Sequence, residues 1–318
     1  MADPERLEAW PDAREKDRRL VDRMLALFDL EQVAPDRFRA GGAETEPRRI
    51  FGGQFVAQAL EAAVRTVAAD RRAHSVHGYF LRSGVTSRDS EFLVSSDADG
   101  SNHSFRRVVV SQAGRPLLTL SAAFQAAGEG LAHQVQAPDV PSPETLQDDC
   151  VRAEGMPALS PGAHAALARG SPFQFRSTIL EARFRSGPAP AHQQYWFRTA
   201  RPISEASQAL HRTILAYASD TMLLGAALMP HEMRWFDGQA SVASLDHALW
   251  IHRDVRADDW LLYDQESPWA GEGRALNRGH IFDRQGRLVA TVAQEGSLRT
   301  PTPVHVDGQD SSRGPQQV

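Results

Sequence analysis

The chain is nearly without cysteine: among 318 residues only Cys150 carries a thiol. A single thiol excludes an intrachain disulfide and any cysteine-based zinc finger. Lysine is as scarce, with Lys16 standing alone, so arginine supplies 34 of the 35 cations. Against 40 carboxylates these leave a formal net charge of -5, which offers no electrostatic reason to expect nucleic acid as a partner. No G-x-S-x-G occurs, which removes the nucleophile elbow of one large hydrolase class. His231-Glu232 does not continue to the second histidine of a zinc-protease helix. Residues 1–19 (MADPERLEAWPDAREKDRR) are charged throughout and carry no apolar signal segment, and the final residues are Gln-Gln-Val, not a peroxisomal Ser-Lys-Leu. Together these absences lead us to expect a cytoplasmic protein without membrane insertion, metal or cofactor.

Enough apolar material is present for a sizeable core, at 42% of residues. The length suits two domains or a tandem architecture. Residues 1–20 read as a polar lead-in. In residues 51–69 (FGGQFVAQALEAAVRTVAA), apolar side chains at 55, 56, 59, 60, 63, 64 and 67 recur at helical spacing behind the Gly52-Gly53 punctuation. Strand-like runs follow at 76–82, 91–95, 105–112 and 117–125, the last two joined by Gly114-Arg115-Pro116 as a hairpin. Residues 21–127 therefore form a first unit. Residues 128–171, rich in Gly, Pro, Ala and acidic residues, read as a connector with a short helix near 162–169. In residues 172–299 the plan returns: strands at 173–185 and 193–198, a long helix over 207–229, then strands at 248–253, 260–265, 275–283 and 288–298. Residues 300–318 are expected to be a disordered tail.

The register supports a duplication. Placing His77 on His247, an offset of 170, sets HGYFLRS against HALWIHR; placing Gly114 on Gly286, an offset of 172, sets SQAGRPLLTLSAAF against DRQGRLVATVAQEG. One long helix per unit can bury the apolar face of an antiparallel sheet only by lying across it while the sheet curls round. Two such units side by side give an α+β double hotdog, with two central helices on one continuous antiparallel sheet.

Residues 213–229 (TILAYASDTMLLGAALM) carry a single charge, Asp220, flanked on the helix surface by Ala216, Tyr217, Leu223 and Leu224. A helix apolar nearly all round belongs in a core or a membrane, and a mid-span carboxylate, costing about 2.5–3.5 kcal/mol, argues against the membrane. A buried carboxylate either bonds to nearby backbone as a structural group or, with its pKa raised by desolvation, serves as a general base near neutral pH. Candidate partners come from later strands. Ser244 offers a hydroxyl and Gln294 an amide in an otherwise apolar run, whereas the repeat register gives the first half only His74 and Ala122 at those places.

The segments RRIFGGQFVAQAL (48–60), HSVHGYFLRSG (74–84), FRRVVVSQAGRPLLTLSAAFQA (105–126), LAYASDTMLL (215–224), SLDHALWIHR (244–253) and VAQEGSLR (292–299) resemble, in order and spacing, the acyl-CoA thioesterase II family of double-hotdog enzymes. The resemblance extends over roughly residues 20–300, apart from the connector. It implies hydrolysis of acyl-CoA to a fatty or related acid and CoA, a place in fatty acid metabolism, and assembly as a homodimer or homotetramer. It also implies a catalytic trio of Asp220, Ser244 and Gln294. Two positions depart from the pattern: Ser244, where bacterial relatives often have threonine, and His103, where an aromatic residue is expected.

The implied chemistry is direct attack by water, with Asp220 accepting the proton while Ser244 and Gln294 position the reactants. Gly52, Gly53 and Gln54, at a helix start, are candidates for contact with the thioester carbonyl; equally, the glycines fit a tight turn needed only for packing. Asp246-His247 beside Ser244 evokes a serine hydrolase, but adjacent strand residues point to opposite faces. His74-x-x-His77 and His247 with His252 have loose metal-like spacing and fit core or surface histidines better. The Arg48-Arg49 and Arg106-Arg107 pairs are candidates for CoA phosphates or simply solvated charges. Two other classes compete: a hotdog hydratase or dehydratase, which calls for a histidine–carboxylate pair in the site, and a non-enzymatic acyl-CoA-binding module, in which Asp220 and Gln294 would be dispensable.

Overall fold

A computed structural model describes residues 13–45, 48–154, 156, 159–180, 188–203, 206–231, 233 and 241–299. The first element, α1 (Glu15–Ala26), starts inside the stretch expected to be a polar lead-in. Its Val21 and Met24 face the core, and buried Asp17 accepts from the Arg14 side chain (2.5 Å) and the Ser171 N–H (3.0 Å). Charges that look solvated in the sequence thus tie the N-terminal segment to the end of the connector, at Ser171.

Next come β1 (Glu31–Ala34), β2 (Arg37–Ala40), helix α2 (Gly52–Val64) and strands β3 (Arg72–Phe80), β4 (Ser90–Asp99), β5 (His103–Gln112) and β6 (Arg115–Gln125). The span 128–171 holds two short helices, α3 (Asp149–Glu154) and α4 (Pro161–Arg169). The second half continues with β7 (Phe173–Ser177), β8 (His192–Thr199), α5 (Gln208–Ser219), α6 (Gly225–Leu228), β9 (Ser241–Ser244), β10 (Asp246–Ile251), β11 (Leu261–Gly271), β12 (Arg274–Asp283) and β13 (Leu288–Arg299). Part of the strand expected at 173–185 and the tail from 300 lie outside the described residues.

All strands join one antiparallel sheet in the order β1-β2-β4-β5-β6-β3-β10-β13-β12-β11-β8-β7, with β9 paired to β13. The order is mirrored about the β3–β10 seam, where His77 lies opposite Ala248 and His247 opposite Gly78. This is the double hotdog. Helices α2 and α5 pack against each other in its centre. Phe55, Val56, Ala59, Leu60 and Ala63 of α2 are all buried because the sheet closes over one side and α5 over the other. The segment expected to be a mere connector also carries structure. Ala137, Val140 and Leu146 pack on Trp196, Trp260, Leu262 and Phe282, and the Trp196 indole N–H donates to the Pro141 carbonyl (2.9 Å).

One expectation needs correction. The helix foreseen over 207–229 stops at Ser219, and Met222 adopts a left-handed backbone (φ +60°) before α6 begins. Side chains from the sheet end the helix by taking the carbonyls that would otherwise remain orphaned. The Tyr263 hydroxyl donates to the Ser219 carbonyl (2.6 Å), and Tyr195 and Gln265 donate to the Thr221 carbonyl (2.8 and 3.1 Å). Apolar periodicity alone cannot reveal such long-range competition for the backbone.

The two glycines at the start of α2 set how closely the helices approach. A Cβ on Gly53 would lie 2.4 Å from the Tyr217 carbonyl oxygen, and one on Gly52 would lie 2.7 Å from Asp220 Oδ2. Overpacking of this kind costs about 1–3 kcal/mol. We expect Gly53→Ala to lower the unfolding free energy by that amount and so shift the urea midpoint down, whereas Gly41→Ala, with nothing within 4 Å of its Cβ, leaves the midpoint close to wild type. An unchanged midpoint for Gly53→Ala would contradict the packing account.

Candidate active site

Asp220 is the C-cap of α5 and is almost wholly buried. Its carboxylate reaches across to the other half of the molecule: Oδ2 accepts from the Gly53 N–H in the first turn of α2 (2.8 Å). The residue capping α2, Phe51, offers no side-chain cap of its own, so the second half caps the first half's helix. Oδ1 accepts from Gln294 Nε2 on β13 at 2.5 Å. The Ser244 hydroxyl, at the end of β9, further favours the charged carboxylate.

Burial pushes the Asp220 carboxyl up to about 6, against the opposing pull of Gln294, Gly53 and Ser244. The group is therefore mostly ionised at pH 7 and basic enough to accept a proton. Gln294 Oε1 is buried without a hydrogen-bond partner among the described residues, which leaves an acceptor beside the base.

Ser244 and His247 both approach Asp220, although residues three apart on a regular strand face opposite sides. The chain is irregular between them. Ser244 lies opposite Gly296 and Ala248 opposite Ala293, so four steps on one strand span three on the other. His247 Nδ1 sits 4.0 Å from Asp220 Oδ1, while Nε2 pairs with the Ser219 hydroxyl at 2.8 Å. Burial lowers His247 to about 4, so the ring is neutral and lies behind the carboxylate, in the core.

A cavity of about 650 Å³ opens onto Asp220 and Ser244. Phe51, Phe55, Phe80, Leu224, Leu228 and Met229 make most of its wall apolar, and Arg49 and Arg82 also line it. Both arginines are exposed. The floor turn, residues 219–222, is clamped from below: Gln193 donates to the Met222 carbonyl (2.8 Å) and to Gln265 (2.6 Å), and Gln265 donates to the Tyr195 hydroxyl (2.8 Å).

Among the sequence-derived candidates, the structure brings together Asp220, Gln294, Ser244, Gly52 and Gly53. Gln54 points elsewhere, toward Gln58 (3.4 Å), and the Gly53 N–H is engaged by Asp220. Of the arginine pairs, Arg106 is buried on Asp99 and Arg107 pairs with Asp97, whereas Arg49 lines the cavity. Burial pushes the Cys150 thiol up to about 12, which makes it a poor nucleophile. The Tyr195–Gln265–Gln193 clamp is not visible in the sequence, and alternating polar residues in strands expected to be buried are the signal that could find it. His247, which strand alternation turns away from Ser244 and its spacing marks as a core or surface histidine, instead lies 4.0 Å from Asp220.

Comparison with known proteins gives a consistent result. Residues 165–297 match the acyl-CoA thioesterase family, and residues 43–125 match the acyl-CoA thioesterase N-terminal domain. The chain is 35% identical over 281 residues to human acyl-coenzyme A thioesterase 8, covering 86% of this chain and 88% of the relative. It is 34% identical over 283 residues to acyl-CoA thioesterase 2 of Haemophilus influenzae, covering 88% and 98%. The crystal structure of an acyl-CoA thioesterase II from Mycobacterium marinum superposes with a TM-score of 0.72 at 39% identity, covering 88% of this chain and 99% of that one.

The carboxyl of Asp220 should titrate with a midpoint near 6 when followed by carbon-detected NMR of aspartate-labelled protein. Gln294→Ala removes a hydrogen bond to the charged form, so the midpoint should rise above the wild-type value. A wild-type midpoint near the ordinary 3.8, or one that does not move in the variant, would refute the assigned environment.

Proposed function

Since the chain belongs to the acyl-CoA thioesterase family, a family of hydrolases, we propose that it cleaves acyl-CoA by direct water attack with Asp220 as general base and Ser244 and Gln294 as positioning partners. The observation that carries the reading is the buried Asp220 carboxylate, fixed by Gly53 and Gln294 at the end of an apolar cavity.

In this mechanism the acyl chain occupies the apolar cavity, and the CoA portion leaves through the mouth beside Arg49 and Arg82. A water beside Asp220 gives its proton to the carboxylate as its oxygen adds to the thioester carbonyl. Gln294 Oε1, without a partner among the described residues, accepts a hydrogen bond from the O–H that the water keeps and carries into the tetrahedral adduct. Collapse of the tetrahedral adduct breaks the C–S bond, and the proton held by Asp220 passes to the departing thiolate. The products are the free acid and CoA. The Ser244 hydroxyl orients the water or the carbonyl, and the positive end of α2 at Gly52 favours charge developing on oxygen.

His247 bears on the hydratase alternative. That chemistry calls for a histidine facing substrate, whereas His247 is buried behind Asp220 and tied to Ser219. Further assembly as a homodimer or homotetramer extends the proposal, supported by exposed Tyr79 and Phe105 on the outward side of the sheet.

The pH dependence tests the base. Asp220 must be ionised to act, and its pKa is raised, so kcat/KM for thiol release should fall as pH drops through about 6 and level off above it. Ser244→Ala should lower the plateau by about 10–1,000-fold, since a lost hydrogen bond to a reacting group is worth ~1.5–4 kcal/mol. A profile flat down to pH 4.5, or full activity in Ser244→Ala, would count against the mechanism.

A further inference from the structure

The duplication gives the active-site cavity a counterpart at the opposite end of the β3–β10 seam, and its chemistry has changed. With the 170-residue offset, His74 stands where the second half has Ser244, and the segment 251–254 stands where the first half has 81–84. Ala122 replaces Gln294, and across the strand from it Arg106 replaces Asn277. The C-cap of α2 is Arg65, where α5 has Asp220. Buried Arg106 binds Thr66 Oγ1 (3.0 Å) and Asp99 (2.9 Å), and no member of the trio remains.

What persists is a pocket of about 440 Å³ at this second location. Arg72, Arg212, Arg253 and Arg287 line it together with His74 and His252, and Asp254 is its single carboxylate. Asp254 is already shared: Arg212 Nη2 lies 2.8 Å from it and Arg72 Nη1 3.3 Å. Arg212 is buried and fixed by the Ala73 carbonyl (2.6 Å), yet its Nε has no acceptor among the described residues. His74 Nε2 is likewise without a partner there. Among the described residues Arg253 donates to neutral groups, the Leu288 carbonyl (3.1 Å) and Gln134 (3.3 Å).

We propose that this pocket binds a phosphate-bearing anion. A chain of net charge -5 gathers four guanidinium groups here. Arg287 is paired with Asp283 just outside the pocket (2.6 Å) and Asp254 is shared by Arg72 and Arg212, so four cations face two carboxylates and the excess of two positive charges suits a ligand with two negative charges. Guanidinium forks match the oxygens of a phosphate group, and the volume admits a phosphate ester as well as the free ion. At the equivalent positions the first half thus has cationic side chains where the second half has the proposed trio. The inference does not depend on the catalytic roles assigned to Asp220, Ser244 and Gln294.

Calorimetric titration of the full chain with inorganic pyrophosphate, and separately with adenosine 3',5'-bisphosphate, tests it at low ionic strength. We expect saturable binding that weakens by about tenfold or more in Arg72→Gln/Arg253→Gln, because charge-assisted contacts are worth ~1.5–3 kcal/mol each. Both titrations are repeated in Arg49→Gln/Arg82→Gln, which removes the cations where the CoA nucleotide would meet the other cavity. Pyrophosphate binding should be unchanged there, and bisphosphate binding that remains in that background reports the seam pocket. Tighter binding of the bisphosphate would identify a nucleotide ester as the source of the phosphate; equal binding would identify the free ion. If the first double variant melts early, Arg253→Gln alone decides by the same readout. Absence of saturable binding, binding untouched by the seam substitutions, or binding lost only with the mouth substitutions would overturn the proposal.

Discussion

A carboxylate at the C-terminal end of a helix is opposed by that helix's own dipole, and Asp220 is held there because the N-terminal end of α2 faces it. Each dipole effect is of order 0.3–1 kcal/mol, so the two nearly cancel. Burial then decides the proton affinity, and it moves the carboxyl up to about 6. The same contact joins the two halves, since the group that caps the first half's helix is the second half's ionisable side chain. Gly52 and Gly53 permit the approach, and Tyr263, Tyr195 and Gln265 end α5 where the carboxylate can make it. The fold's central packing and the proposed chemistry therefore rest on one set of atoms.

The duplication explains why only one such junction exists. Two hotdog units related about the β3–β10 seam begin with equivalent helix ends and strand ends, so both ends of the seam have the shape for a site. One end keeps an amide, a hydroxyl and a carboxylate against an apolar cavity. The other has gained Arg106, which fills the space with an ion pair to Asp99, and is surrounded by cationic side chains. A buried arginine requires a compensating carboxylate, so the substitution makes the site charged and closes it to an acyl chain.

Much of this was legible in the sequence, and the failures have physical causes. Helical spacing located α2, valine-rich alternation located β5 and β6, and the two offsets revealed the repeat. Asp220 drew attention because a lone charge in an apolar run needs partners. Apolar periodicity extends the helix containing it too far, because its end is set by tyrosine hydroxyls distant in the chain. The proximity of His247 was hidden because a single irregularity near Leu245 undoes the alternation on which strand arguments depend. The N-terminal helix is hidden in the sequence because Asp17 and Arg14 look like surface charges, whereas Asp17 is buried with Arg14 against the connector. The double hotdog follows from the repeat, whereas the catalytic roles proposed for Asp220, Ser244 and Gln294 rest on a resemblance of ordered segments, beyond what spacing alone supplies.

The most direct test of the account is thiol release from a panel of short- to long-chain acyl-CoAs by wild type and Asp220→Asn side by side. Asparagine keeps the shape of the side chain and removes the base. Loss of a general base predicts turnover falling by about two to four decades with the fold intact. Wild-type turnover retained in Asp220→Asn would contradict the central role given to this carboxylate.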